Sequence, residues 1–252
     1  MSVFDPYILE TAAFLQRNRN RGVRSAEFLR RPQGDPVPEP SPGPTGPGLH
    51  PGIILRSDTF VELGNPLSGS CSVVLWTEDL SLIRDGTISL LGPDIPEAPG
   101  ASLPFGQVLL IGGRELSDRD YEPLVEAQYV GDRIAGYMIR SAPDRIWSRV
   151  SREAVRQGFN FETLGGVLMG IYRAERPKTE AMEILFVTSS REEVRELQGI
   201  GAQVNKIGRE MVRENWKLRG YDIDCRLDCN SCMDQSVCDS IREVLAARRA
   251  KA

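Results

Sequence analysis

The stretch from Arg30 to Gly52, RRPQGDPVPEPSPGPTGPGLHPG, carries eight prolines, and it restricts the fold of this chain more than any other feature. Proline has no backbone N–H to donate and its ring clashes with the preceding helical turn, so the stretch forms neither a helix nor a sheet interior. It reads as a linker over residues 32–52. Ahead of it, residues 1–31 show helical periodicity, with Ile8, Ala12, Phe14 and Leu15 to one side and an arginine-rich polar end. They predict an amphipathic helix that docks on a partner or lies loosely on the main body.

Behind the linker, short strand-like runs alternate with turns: TFVELG, CSVVLWTE, TISLLG and QVLLIGG, with MEILFVTSS further on. Helical patterns are expected from Asp120 to about Arg140, through IWSRVSREAVRQG and FETLGGVLMGIYRAER, and from about Val204 to Leu218. Ser189 and Ser190, followed by Glu192 and Glu193, mark a helix start. The order predicts an α/β fold with a mixed sheet, α+β being its near variant, in one main domain over residues 53–219. A four-cysteine segment and a basic C-terminal helix occupy residues 220–252.

Composition narrows the class. Of 252 residues, 40% are hydrophobic and 26% charged, as in ordinary globular proteins. No apolar run reaches the roughly 18 residues of a membrane span. The first residues place acids before the first base and lack a signal-peptide pattern, so a cytoplasmic location is expected. A net charge of −4 argues against a nucleic-acid binder. The single histidine, His50, leaves no set of imidazoles for metal or general-base chemistry. Lysine stands only at Lys178, Lys206, Lys217 and Lys251, so arginine supplies nearly all of the 31 basic residues. Either a GC-rich genome or a need for forked anion contacts produces such a bias.

Four of the five cysteines fall in DCRLDCNSCMDQSVCD, as Cys225, Cys229, Cys232 and Cys238. Three of them stand at helical spacing and would suit a buried helix face. Four thiols crowded into one short segment of a protein expected in a reducing compartment point instead to metal. Structural zinc usually takes two separated cysteine pairs, whereas one compact loop suits a [4Fe-4S] cubane, with zinc as the alternative. The triplet CxxxCxxC also occurs in radical S-adenosylmethionine enzymes, but there a barrel follows it and here a single helical run does. Asp222, Asp224, Asp228, Asp234 and Asp239 surround the thiols with Arg226 as the one offset. That charge would disfavour an added electron and predicts a low reduction potential.

A second pattern lies in APDRIWSRVSREAVRQGF. Arg145, Arg149, Arg152 and Arg156 fall on one face if this segment is helical, with Trp147 between them. If it begins as a strand, Trp147 and Arg149 still share a face. An indole beside guanidiniums is a platform for an adenine ring and its phosphates; acidic partners such as Glu153 would serve the same charges.

Taken in order, FVELGNP, TISLLGPDI, IGGRELSDRDYEPLVE, RIWSRVSREAV, FETLGGVLMGIYRAERP and MEILFVTSSREEV resemble the β subunit of the carbon monoxide dehydrogenase/acetyl-CoA synthase complex. The resemblance covers more than half of the chain. It implies an α/β domain preceding a nickel-iron-sulfur site, with Trp147, Arg145 and Arg149 as coenzyme A contacts; the arginine stripe itself adds Arg152 as a further candidate. DCNSCMDQSVC resembles the start of the family's cluster loop, so Cys229, Cys232 and Cys238 match cluster ligands, with Cys225 replacing a missing downstream one. The nickel-chelating Cys-Gly-Cys of the family is absent from the sequence. The resemblance therefore implies an iron-sulfur subunit or electron-transfer component in anaerobic acyl-CoA or one-carbon metabolism, acting within a larger protein complex. A synthase-like acyltransferase with a remodelled metal site and a zinc-stabilised assembly protein are the alternatives.

Overall fold

Strands β3 (Ser70–Thr77), β4 (Thr87–Leu91), β6 (Phe105–Gly112) and β9 (Ala181–Val187) are buried at every residue. A strand covered on both faces needs helices above and below it. The computed structural model of the chain, which describes residues 2–29, 53–129, 134–142 and 145–218 with a few positions between 235 and 247, has that architecture. These strands join β1 (Ser25–Leu29) in a five-stranded mixed sheet of order β1-β4-β9-β6-β3. The β4–β9 and β3–β6 pairs are parallel, and β1–β4 and β6–β9 antiparallel.

Two long helices cover the faces. On β6, Phe105 stacks on Phe161 of α4 (Phe161–Glu175), 5.8 Å between ring centres, and Phe161 lies 4.8 Å from Phe186 of β9. The next residue, Gly106, lies against Val194 and Leu197 of α5 (Arg191–Leu218). Successive strand residues point to opposite faces, so α4 and α5 sandwich the sheet. Asn160 caps α4 by accepting from the Thr163 amide at 2.8 Å.

A smaller sheet has the order β5-β2-β8-β7, built from β2 (Thr59–Leu63), β5 (Ser102–Leu103), β7 (Tyr137–Ala142) and β8 (Arg145–Ser151). Val61, Leu63, Ile146, Ser148 and Val150 form its buried side. The two sheets meet at Ser70, whose hydroxyl donates to the Ile146 carbonyl at 2.5 Å and accepts from the Ile146 amide at 2.9 Å. Gly64 makes this approach sterically feasible: its φ is +70°, and a Cβ there would stand 2.2 Å from the Ile146 oxygen.

Three expectations from the sequence are corrected. The N-terminal helix, α1 (Asp5–Asn20), stops short of residue 31: Gly22 takes a φ of +77° beyond the last turn, and residues 25–29 are a strand rather than more helix. This terminus is also part of the main body: Phe4, Ile8, Phe14 and Leu15 belong to the common core, and Phe4 stacks on Tyr121 at 5.1 Å. Its edge strand is held by charge. Arg84 grips the buried Glu183 of β9 at 2.5 Å and Glu27 of β1 at 2.7 Å, and Glu27 also bonds Arg19. Those hydrogen bonds, first from Arg19 and then from Arg84, hold the Glu27 carboxyl below the ordinary glutamate range.

The second correction concerns Asp120 to Arg140. Helix α2 covers only Tyr121–Glu126, and the chain re-enters the small sheet as β7. The third is that RIWSRVS forms β8, and only Arg152–Arg156 is helical, as α3. The linker, the four cysteines and most of the segment 220–252 lie outside the described residues. Among those described, no helix is long and apolar enough to cross a membrane.

Removing residues 1–29 would strip four large buried side chains and a paired edge strand. At about 1.5–3 kcal/mol for each side chain, the loss approaches the whole of a domain's stability. The truncated chain is expected to lose its cooperative thermal transition, measured by circular dichroism against the full chain.

Candidate functional site

Alternation along β8 sorts the residues that the sequence singles out. Ile146, Ser148 and Val150 point inward, whereas Arg145, Trp147 and Arg149 take the outer side, Arg145 exposed and the other two half-buried. Arg149 lies over the Trp147 ring with its guanidinium carbon 5.1 Å from the ring centre. A cation over an indole face is held by the ring quadrupole as well as by contact. Trp147 and Arg149 therefore form one unit, with Arg145 two residues along the same edge.

Arg152 is separated from them. It is exposed at the first position of α3, beyond the turn at Ser151, whose hydroxyl accepts from the Ala154 amide at 3.1 Å. Arg156 pairs with Glu153 at 2.9 Å. The four-arginine face expected for a helix is thus divided between a strand and a short helix.

The structure adds two residues that sequence reading passed over. Glu62 of β2 stands directly opposite Arg149 in the antiparallel register. Its Oε1 accepts from Arg149 Nε at 3.0 Å, and its Oε2 accepts from Asn65 Nδ2 at 2.7 Å. A second guanidinium nitrogen, Nη1, donates to the Ile54 carbonyl at 3.3 Å. The pair is sheltered, with side-chain exposures of 21% for Arg149 and 19% for Glu62, which raises its contribution above the near-zero value of many surface pairs. Burial pushes the Glu62 carboxyl up, but hydrogen bonds from Asn65 and Arg149, the Arg149 charge and the Trp147 side chain outweigh it. Glu62 is held below the usual carboxylate range and stays ionised. FVELGNP does hint at this face, since Glu62 alternates with buried Val61 and Leu63; its pairing with Arg149 is a matter of register, which alternation does not encode.

Cys71 is buried in β3, as its strand context predicts. Cys225, Cys229, Cys232 and Cys238 lie outside the described residues. Among the described residues, no group of three or more histidine, cysteine, aspartate or glutamate side chains could hold a metal ion.

Residues 45–194, which contain the whole Trp147–Arg149–Glu62 face, match the family described as the CO dehydrogenase/acetyl-CoA synthase complex beta subunit. The chain belongs to this family. It is 29% identical over 183 residues to the acetyl-CoA decarbonylase/synthase complex subunit beta 1 of Methanosarcina thermophila, covering 71% of this chain and 38% of that protein. Against the beta subunit of Methanothermobacter thermautotrophicus it is 32% identical over 144 residues, 56% of this chain and 30% of the relative. The carbon monoxide dehydrogenase/acetyl-CoA synthase subunit alpha of Moorella thermoacetica is 32% identical over 136 residues, 52% of this chain and 18% of its own length. The chain thus spans well under half of these relatives, and the family match stops at residue 194, before the four cysteines.

Because the site rests on the junction of the sheets, Ser70→Ala should expose its dependence. The change leaves the buried Ile146 amide and carbonyl without their partner, a loss of about 1–3 kcal/mol. A lowered denaturation midpoint, with a changed near-ultraviolet circular dichroism contribution from Trp147, is expected.

Proposed function

We propose that this protein binds coenzyme A on the outer face of the small sheet and holds a [4Fe-4S] cluster through Cys225, Cys229, Cys232 and Cys238. The observation that carries the first half is the half-buried indole of Trp147 with the Arg149 guanidinium over it, inside the stretch that matches the family. An adenine ring has a π face to set against such a platform, and the side of the guanidinium turned away from Glu62 presents N–H donors to phosphate. Arg145, exposed at the near end of β8, adds charge for the diphosphate, and Arg152 adds a weaker, more distant attraction.

The second half is supported by the donor set. Four thiolates at CxxxCxxCxxxxxC in one short stretch suit a cubane, with zinc as the competing metal. When bound, the cluster would supply one-electron transfer. The chain's own part would be to anchor it through the four sulfurs and to surround it with aspartate charge. Since the relatives' names describe subunits of a complex, the protein is read as a cytoplasmic subunit or electron-transfer component within a larger assembly. Its metabolic setting would be anaerobic acyl-CoA or one-carbon chemistry.

Two measurements test this. Coenzyme A titrated against Trp147 fluorescence, with Trp147→Phe subtracting Trp76 and Trp216, is expected to saturate below millimolar ligand. Arg149→Lys should weaken binding by about tenfold, since an ammonium keeps charge and loses the planar fork. No saturable change would overturn the coenzyme reading.

The protein purified anaerobically is expected to contain iron and acid-labile sulfide in equal amounts, and Cys229→Ala or Cys238→Ala should lose both. Zinc alone would favour an assembly protein. Nickel with iron would favour a synthase-like acyltransferase.

A further inference from the structure

The Glu62 carboxylate is out of place beside a site for a polyanion. Simple electrostatics makes it a repulsive neighbour of any phosphate that approaches Arg149. Its geometry answers a different need. Arg149 Nε is bound by Glu62 at 3.0 Å and Nη1 by the Ile54 carbonyl at 3.3 Å, so two of the three guanidinium nitrogens are tied to protein acceptors. Those two bonds fix the guanidinium above the Trp147 ring, and among the described residues none takes up Nη2, the nitrogen a ligand would meet. Glu62 is in turn oriented by Asn65 at 2.7 Å, and Asn65 is fixed by the turn it caps, accepting from the Leu67 amide at 2.9 Å. The chain of contacts runs from a turn, through a carboxylate, to the arginine.

We propose that Glu62, oriented by Asn65, is a positioning residue that pre-sets Arg149 over Trp147 for its anionic ligand. This rests on the coenzyme A reading above. A long arginine side chain loses much rotamer freedom when it is fixed, and a site that fixes it before the ligand arrives binds more tightly than one that does so afterwards. Glu62 repels the phosphates and gains the site more than it costs, provided the geometry outweighs the charge.

The sign of a substitution decides between the two effects. Glu62→Gln removes a negative charge, and by electrostatics alone it should tighten coenzyme A binding. Positioning predicts the opposite, a weakening of about tenfold. Glu62→Asp retains the charge and shortens the reach, so the same loss there has no Coulombic origin. In an Arg149→Lys background Glu62→Gln should add little, because the residue it positions is already gone. A signature independent of ligand accompanies these titrations: the near-ultraviolet circular dichroism of Trp147, taken as the difference from the Trp147→Phe protein, should change in Glu62→Gln and in Glu62→Asp.

Unchanged or tighter binding in Glu62→Gln would overturn the proposal, whatever the Trp147 signature does. If the unsubstituted protein fails to bind coenzyme A, the functional reading falls, and the ligand-free signature then decides for Glu62: because Glu62 also interacts with the Trp147 side chain directly, a change that is lost in an Arg149→Lys background sustains positioning, and one that is absent or persists in that background overturns it.

Discussion

Ser70 is the point on which the rest of the molecule turns. It begins β3 at the edge of the large sheet, and its hydroxyl both gives and takes a hydrogen bond at Ile146 of β8. Its carbonyl accepts a third bond, from Gln198 of α5 at 2.5 Å. One small side chain and one peptide unit thus register two sheets and a helix against each other. Trp147 follows Ile146 directly, so the outer face of β8 inherits its placement from a serine on its buried side.

Four strands of the large sheet are legible because each is built around an apolar run; the fifth, β1, falls within the stretch that reads as helix. Val73, Val74 and Leu75, or Leu109, Leu110 and Ile111, need cover on both sides, and the helices at Phe161 and Arg191 supply it. Of the small sheet the pattern shows β2, at TFVELG, and hides β7 and β8. In RIWSRVSREAV the arginine spacing fits a helical face, while the alternation of Ile146, Ser148 and Val150 fits a strand, and both readings share the same letters. Ser148 decided the matter against intuition: a buried polar residue blurs the apolar side of the strand, and only pairing with β2 and β7 resolves it. The seating of the terminal helix is hard to read for a related reason. Its buried side includes Thr11 and Asn18 as well as Phe14 and Leu15, so its amphipathic contrast understates how firmly it is seated.

Charge is used in two different ways in this fold. Glu183 lies deep in β9 and would be costly alone, so Arg84 meets it with Nε and Nη2 and with its own backbone amide. That cluster closes an edge of the sheet. Glu62 sits at moderate depth and meets Arg149 through one nitrogen, with other edges of the guanidinium still directed elsewhere. The first arrangement consumes its charges; the second orients them. The two pairs differ in how much of the guanidinium is taken up rather than in burial, since neither is fully exposed.

Helix α5 carries a consequence of its own. It is fastened near one end by Gln198 at the junction of the sheets and at the other by Asn215, which donates to the Asp118 carbonyl, and Trp216, which donates to Glu122. Between those fastenings an α-helix rises about 1.5 Å and turns roughly 100° with each residue. The helix therefore behaves as a keyed shaft: one residue inserted or removed midway would set the two ends out of phase. Leu218, at the end of the helix, takes its bearing from the residue count between the two fastenings together with the bonds of Asn215 and Trp216.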